Sequence, residues 1–142
     1  MAEIHFFKEG IAFRLNEPHK IREWIERLAA AEGRQIRELT YVFCSDPFLL
    51  RLNKEYLHHH TLTDIITFDL SEDRSLCGEI YISIPRVRSN ARTYGQPFQT
   101  ELHRVIAHGL LHLLGYKDKL LRDKALMRQK EEACLSLWPS ST

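Results

Sequence analysis

The sequence predicts a single α+β domain in which a small mixed sheet of about four strands packs with about five helices. Two patterns indicate this class: strand-forming runs alternate with amphipathic segments up to residue 85, and nearly everything beyond it has helical spacing. The length of 142 residues also suits one ordinary domain with its own core. We expect residues 1–142 to form that domain, with residues 138–142 as a loose tail.

The first elements are predicted to be a β-hairpin and an amphipathic helix. Residues 4–7 and 11–13 are short apolar runs on either side of a glycine turn, a pattern typical of two paired strands. From residue 18 to about residue 32 the apolar side chains recur at helical spacing. Asn16 is the expected cap of this helix, and Gly33 its expected stop.

A strand, a helix and two further strands are predicted next. Residues 39–44 are rich in strand-forming side chains, and the Ser-Asp-Pro sequence at residues 45–47 predicts the start of a helix. Residues 65–68 and 80–84 predict two strands separated by a polar loop.

Three helices are predicted to complete the chain. Residues 86–94, 98–114 and 119–137 all have helical spacing, and glycine or proline residues interrupt it between them. The second half of the domain is therefore expected to be entirely helical.

The composition excludes several classes of protein. The chain has 20 Lys and Arg residues and 19 Asp and Glu residues, so no overall field indicates a nucleic-acid binder. Its three cysteines, at positions 44, 77 and 134, are too far apart for a disulfide framework or a CxxC zinc site. No apolar run approaches the roughly 18 residues of a membrane span, and the amino terminus has no secretory pattern. We therefore expect a cytoplasmic protein that contacts no membrane.

A pair of histidines carries the clearest chemical signal. His108 and His112 are four residues apart in a helical segment, which places their rings about 40° apart around the axis and one turn apart along it. Both rings can therefore reach one metal ion. Gly115 can end the helix and reverse the chain, and Asp118 follows three residues later. This spacing predicts a zinc site with three protein ligands and an open fourth position for water.

Residues near His108 and His112 limit the reactions that such a zinc site could catalyse. Gly109 occupies the position at which HExxH zinc peptidases carry their general base, so that mechanism is disfavoured. Glu101 lies two turns before His108 on the same face, where it can orient a ligand or contact bound water; it can equally favour the helix dipole as a first-turn acid. Asp118 also has a second interpretation, as a cap of the last helix.

Three other features leave alternatives open. An arginine cluster between residues 86 and 104 is either a phosphate-binding surface or a solvated helix face. The consecutive histidines at 58–60 point in different directions, so they rarely chelate together, although one of them can approach the cleft. Asp64 is either a turn residue or part of the wall of a site, and the turn is favoured.

Four segments of the chain resemble the bacterial YbeY family of metal-dependent endoribonucleases. They are residues 52–56, 63–68, 78–83 and 108–116, and the last of these is the most specific. The resemblance implies an α+β fold, one Zn²⁺ per chain held by three side chains, and hydrolysis of single-stranded RNA. It also implies a role in rRNA maturation, through processing of the 3′ end of 16S rRNA, and in ribosome quality control.

The chain departs from the family pattern in two ways that matter for chemistry. The usual third histidine ligand is replaced by Asp118, which should make bound water a weaker acid. The family arginine that is believed to serve catalysis is replaced by Leu57, so another cation must contact the phosphate, or activity is weak. Family Asp and Pro positions are also changed, to His60 and Leu62.

The leading hypothesis is a zinc-dependent endoribonuclease whose partners are single-stranded RNA or rRNA and the small ribosomal subunit or its proteins. The metal ligands are His108, His112 and Asp118, and the candidate catalytic residues are Glu101, Arg86 and Arg88. A zinc-containing ribosome-assembly binding factor with little or no catalysis is the first alternative. A zinc hydrolase acting on another substrate is the second.

Overall fold

The computed structural model describes residues 2–57 and 63–139, which form one four-stranded sheet and five helices. The α+β class predicted from the sequence is confirmed. The strands are β1 (Glu3–Glu9), β2 (Ile36–Cys44), β3 (Ile65–Asp69) and β4 (Leu76–Ser83). The helices are α1 (Pro18–Ala31), α2 (Asp46–Tyr56), α3 (Ile84–Tyr94), α4 (Phe98–Leu113) and α5 (Leu121–Ser136).

The sheet is mixed, as predicted, and its strand order is β1-β2-β4-β3. Strands β1, β2 and β4 run parallel, whereas β3 runs antiparallel to β4. Parallel neighbours need crossover connections, which α1 provides between β1 and β2.

The predicted N-terminal hairpin is wrong. Residues 11–13 form no strand, and β1 pairs with β2 along its whole length, from Glu3 opposite Glu38 to Glu9 opposite Cys44. The apolar character of residues 11–13 has another cause, because Phe13 packs its ring against Phe43 and Phe98. Aromatic side chains that pack onto the core from a loop give the same local pattern as a strand.

The helix signals were mostly correct. Gly33, with a φ of 72°, lies just after α1 as the expected stop, and Ser45 caps α2 by accepting a hydrogen bond from the Phe48 amide at 3.3 Å. The predicted Asn16 cap is wrong, since the residue that caps α1 is Glu17, which makes no side-chain hydrogen bond to the helix. Ile84, predicted to end a strand, is instead the first residue of α3.

Helix α4 packs across one face of the sheet, and its sequence allows a close approach. The Tyr41 hydroxyl donates a hydrogen bond to the Ile106 carbonyl at 3.1 Å, which ties β2 to α4. A Cβ at Gly109 would lie 2.8 Å from Ile80 Cγ2 and 3.0 Å from Ile65 Cδ1, so only glycine fits there without movement. Helix α2 contributes Leu49 to a smaller apolar cluster with Cys44 and Ile66 of the sheet.

The packed core extends closer to the C-terminus than the sequence predicted. Trp138, placed by the sequence analysis in a loose tail, lies 4.1 Å from His103 and 5.2 Å from Trp24 between ring centroids. The Trp24 indole also donates a hydrogen bond to the Cys134 carbonyl of α5 at 3.0 Å. Helices α1, α4 and α5 therefore share one core. None of the helices in the described part of the chain has the length and apolar character that crossing a membrane requires.

Candidate metal centre

Helix α4 presents His108 and His112 side by side near its C-terminal end. Their Nε2 atoms lie 3.0 Å apart, and both side chains are half-buried. The i, i+4 spacing puts the rings one above the other on one face of the helix, as the sequence predicted.

The turn after α4 brings a carboxylate to the two imidazoles. The Gly115 amide bonds to the His112 carbonyl and the Tyr116 amide to the Leu111 carbonyl, each at 3.0 Å, which is the Schellman pattern. Gly115 has a φ of 106°, which glycine adopts readily. The chain turns back after this residue, and Asp118 Oδ2 lies 3.3 Å from both histidine Nε2 atoms.

The alternative role of Asp118 as a helix cap finds no support in the structure. Helix α5 begins at Leu121, and its N-cap residue is Leu120, which makes no side-chain capping hydrogen bond. The predicted start of this helix at residue 119 was two residues early. The Asp118 carboxylate points to the histidines instead, so the ligand interpretation is the one that the geometry favours.

The three atoms have the separation that a tetrahedral metal ion requires. Ligands about 2.0–2.2 Å from zinc lie about 3.3–3.5 Å from one another in tetrahedral geometry. The observed distances are 3.0 Å between the nitrogens and 3.3 Å from each nitrogen to Asp118 Oδ2. Two imidazole nitrogens and one carboxylate oxygen also match the ligand types of catalytic zinc sites. The donor set therefore fits a zinc ion.

A buried glutamate on α5 holds the first histidine in place. His108 Nδ1 lies 2.5 Å from Glu131 Oε2, and the Glu131 side chain is only 8% exposed. A carboxylate accepts, so Nδ1 carries the proton and Nε2 keeps its lone pair for the centre. Burial alone would lower the pKa of His108, but the hydrogen bond and charge of Glu131 raise it above its ordinary value.

His112 has the opposite titration behaviour. Burial and the neighbouring His108 lower the pKa of His112, and the Asp118 carboxylate only partly offsets them. His112 is thus biased towards the neutral form, which is the form that binds metal.

Arg104 connects three carboxylates beside the centre. Its Nη2 lies 2.7 Å from Glu132, its Nη1 lies 3.4 Å from Glu131, and its Nε lies 3.8 Å from Glu101. The side chains of Arg104, Glu101 and Glu131 are 13%, 6% and 8% exposed, so these two pairs are shielded from water, whereas Glu132 is 56% exposed. The contact with Glu131 holds the carboxylate that in turn holds His108.

Glu101 lies in the wall of a cavity of about 270 Å³ that His108 and Asp118 also line. It is buried, and burial raises its pKa, although Arg104 acts in the opposite direction. The sequence placed Glu101 on the same face as His108, and the structure brings both residues to this cavity. Asp64 lines the cavity too and accepts a hydrogen bond from Asn90 at 3.2 Å, so it forms part of the wall.

The structure does not bring the other two candidate catalytic residues to this cavity. Arg86 pairs with Asp46 at 3.2 Å, and Arg88 lies 5.2 Å over the ring of Phe98. Both contacts hold α3 to other elements of the fold. The histidines at 58–60 and Leu62 lie outside the described residues.

Glu131 is the principal residue that sequence reasoning missed. It is 23 residues from His108 and belongs to no local motif. One signal was present: Met127, Glu131 and Cys134 have helical spacing and are the buried residues of α5. A carboxylate within a buried stripe indicates a partner for its charge.

The sequence of this chain is similar to those of one known family over most of its length. A family model described as Endoribonuclease YbeY matches residues 8–138. Proteins named Endoribonuclease YbeY from Cytophaga hutchinsonii and Christiangramia forsetii are 50% and 45% identical over 135 and 136 residues. These alignments cover 94% and 96% of this chain, and 94% of each relative.

A solved structure has a similar fold. The solution structure of a protein from Thermotoga maritima is similar to this chain with a TM-score of 0.66 and 27% sequence identity. The similarity covers 94% of this chain and 87% of the other.

Proposed function

We propose, because the chain belongs to the YbeY family of endoribonucleases, that it is a zinc-dependent endoribonuclease specific for single-stranded RNA. Its substrate is rRNA, its role is maturation of the 3′ end of 16S rRNA together with ribosome quality control, and its partners are the small ribosomal subunit or its proteins. The protein acts in the cytoplasm, because that is the compartment in which its substrate is made.

One observation supports this proposal most strongly. Two imidazole nitrogens and one carboxylate oxygen converge within 3.3 Å at the border of an open cavity, at separations that fit one zinc ion. Closed structural zinc sites have four protein ligands, whereas catalytic sites leave one position for water. The described residues supply three ligands here, which matches the catalytic type.

The residues around the centre have distinct tasks in this mechanism. When zinc is bound, it supplies a Lewis acid that lowers the pKa of water and polarises a phosphoryl oxygen. Glu131 holds the Nδ1–H of His108, so that Nε2 faces the centre. The Asp118 carboxylate would offset part of the positive charge of the bound zinc ion.

Glu101 is the residue proposed to hold a proton during the reaction. Its carboxylate lines the same cavity as His108, and burial raises its pKa above the ordinary value of a glutamate, which favours a role as a proton carrier. Glu101→Gln should lower the cleavage rate about 10²-fold. Its zinc content should stay unchanged, because Glu101 makes no contact with the three ligand atoms.

Glu132→Gln is the matched control for that substitution. Glu132 pairs with the same Arg104 but is 56% exposed, so its loss should leave cleavage close to wild type. Equal cleavage rates in the Glu101 and Glu132 variants would contradict the proton-transfer role of Glu101.

Single-turnover cleavage of a single-stranded rRNA fragment tests the function itself. Wild-type protein should cut the fragment, and His112→Ala should not, because two ligands hold zinc poorly. His19→Ala is the control, since that imidazole is 86% exposed and, among the described residues, pairs with Glu23 alone on the surface of α1. Cutting by His112→Ala at the wild-type rate would contradict the proposal.

The same experiment separates the enzyme from the binding factor. Leu57, at the end of α2, is apolar where the family pattern has an arginine, which favours a protein that binds RNA but cuts it poorly. Tight binding of the fragment by zinc-loaded protein without cleavage would support that alternative.

A further inference from the structure

Two basic side chains on α5 border the candidate metal centre. Lys124 and Arg128 line a cavity of about 210 Å³ together with His108 and Asp118. Arg128 also lines the adjacent cavity of about 270 Å³ that contains Glu101. A third cavity, of about 490 Å³, adjoins Arg128 as well and extends along α3, α4 and α5. Arg128 therefore lies where three cavities meet.

These two side chains share one face of their helix. Residues four apart on a helix lie about 40° apart around the axis and about 6 Å apart along it. That separation is comparable to the spacing of successive phosphates along a nucleic-acid strand. Both side chains are exposed, so a strand could reach them without displacing the core.

Arg104, beside the centre, and Arg86, on α3, are engaged in contacts within the fold. Arg104 is held by three carboxylates, and Arg86 is paired with Asp46. Lys124 and Arg128 form no ion pair with any of the described residues. The charge of Arg128 opposes, in small part, the rise that burial causes in the pKa of Glu101.

The charge of the centre makes such cations necessary for an anionic substrate. Four carboxylates line the cavity beside His108, those of Asp64, Glu101, Asp118 and Glu131, and this concentration of negative charge repels a phosphate. A bound divalent ion offsets part of this charge. Free cations at the rim are needed to hold the strand while it passes the centre.

From this placement we infer that Lys124 and Arg128 form a phosphate-binding strip, defined by these two residues, which contacts adjacent phosphates of the RNA strand beside the metal centre. The inference rests on the proposed function, and it assigns the backbone contacts to α5 and not to Arg86 and Arg88 on α3. Contacts with phosphates do not depend on the base sequence, so the strip should bind single strands of any sequence equally well.

Salt dependence of RNA binding tests the strip directly. Zinc-loaded full-length protein is titrated in the cold into a labelled single-stranded RNA, at KCl concentrations from about 50 to 200 mM, and the RNA is checked for integrity afterwards. Lys124→Gln and Arg128→Gln should each lower the slope of log affinity against log salt by about 0.7, and the double variant by about 1.4. Zinc content and melting temperature should stay at the wild-type values, since both residues are exposed.

Arg122→Gln is the matched control on the same helix. Arg122 is exposed and lies about 160° around the axis from Lys124, so its loss should leave the slope unchanged. A double variant with the wild-type slope would overturn the inference, as would a lowered slope in Arg88→Gln alone. Loss of zinc from the double variant would also overturn it, because the strip would then be supporting the centre. Wild-type protein that neither binds nor cuts RNA would contradict the proposed function as well.

Discussion

A single buried carboxylate determines which nitrogen of His108 faces the centre. Glu131 Oε2 accepts a hydrogen bond from the Nδ1–H of His108, with 2.5 Å between the two atoms, and Glu131 is itself held by Arg104 at 3.4 Å. Because Nδ1 is protonated, the lone pair of Nε2 is directed to His112 and Asp118. The centre is thus organised from α5 as much as from the histidine helix α4.

Glu131→Gln should weaken zinc binding 10- to 100-fold, in the range usual for partners of metal-binding histidines. The amide is nearly the same size but carries no charge, so it supports the imidazole less well. Zinc affinity measured by competition with a chelator checks this. Glu132→Gln, one residue further along α5 and 56% exposed, is the control, and an equal zinc affinity in both variants would contradict the role given to Glu131.

The cluster of the three proposed ligands was predictable because its signal is local. His108, His112 and Asp118 lie within eleven positions of one another, and helix periodicity with a glycine turn brings them together. Glu131 was not predicted, because its position depends on how α5 packs against α4. Arg86 and Arg88 were identified by their charge, which does not indicate what a side chain contacts.

Helix α4 can lie close to the sheet because residue 109 is a glycine. Its α-carbon faces Ile80 and Ile65 so closely that an added Cβ would lie 2.8 Å and 3.0 Å from their side-chain carbons. Gly109, the residue that makes an HExxH peptidase mechanism unfavourable, therefore has a packing role as well. It also neighbours His108, so the position of α4 bears on the centre.

Gly109→Ala should destabilise the fold by about 1–3 kcal/mol, because the methyl group overpacks a close contact between helix and sheet. Alanine favours helices by about 1 kcal/mol over glycine, which reduces the net loss. Chemical denaturation measures the free energy of unfolding. Stability equal to or above wild type would show that the isoleucine side chains move aside freely.

Helices were easier to predict than strand pairing. Periodicity identified all five helices to within a few residues, since each buries one face. The parallel pairing of β1 with β2 depends on a partner more than 30 positions away in sequence, and the loop residues 11–13 imitate a strand. Local pattern carries no information on such distant pairing.

For the molecule as a whole, one buried histidine couples stability to pH. His103 packs against Trp138 and Trp24, and burial lowers its pKa to about 4, with Lys20 acting in the same direction and Glu17 against it. An unfolded histidine titrates near 6.5. Between these two values the unfolded chain binds a proton that the folded chain does not, so this group stabilises the fold above about pH 6.5 and loses that contribution as the pH falls towards 4.

Wild-type protein should therefore lose about 1–2 kcal/mol more stability between pH 7 and pH 5 than His103→Gln, which cannot titrate. Thermal melting of both proteins across this range provides the comparison. His19→Gln, at an exposed imidazole, should keep the wild-type pH dependence. Parallel pH profiles for wild type and His103→Gln would contradict the assignment.

Zinc content per chain shows whether Asp118 completes a zinc centre with His108 and His112. Elemental analysis of protein purified in the presence of zinc should give one ion per chain for wild type and for the control Asp123→Asn, which changes a carboxylate in the first turn of α5 outside the ligand group. Asp118→Asn should retain almost none, with an unchanged melting temperature of the zinc-free fold, because the amide keeps the shape but lacks the charge. Full zinc occupancy in Asp118→Asn would contradict the account.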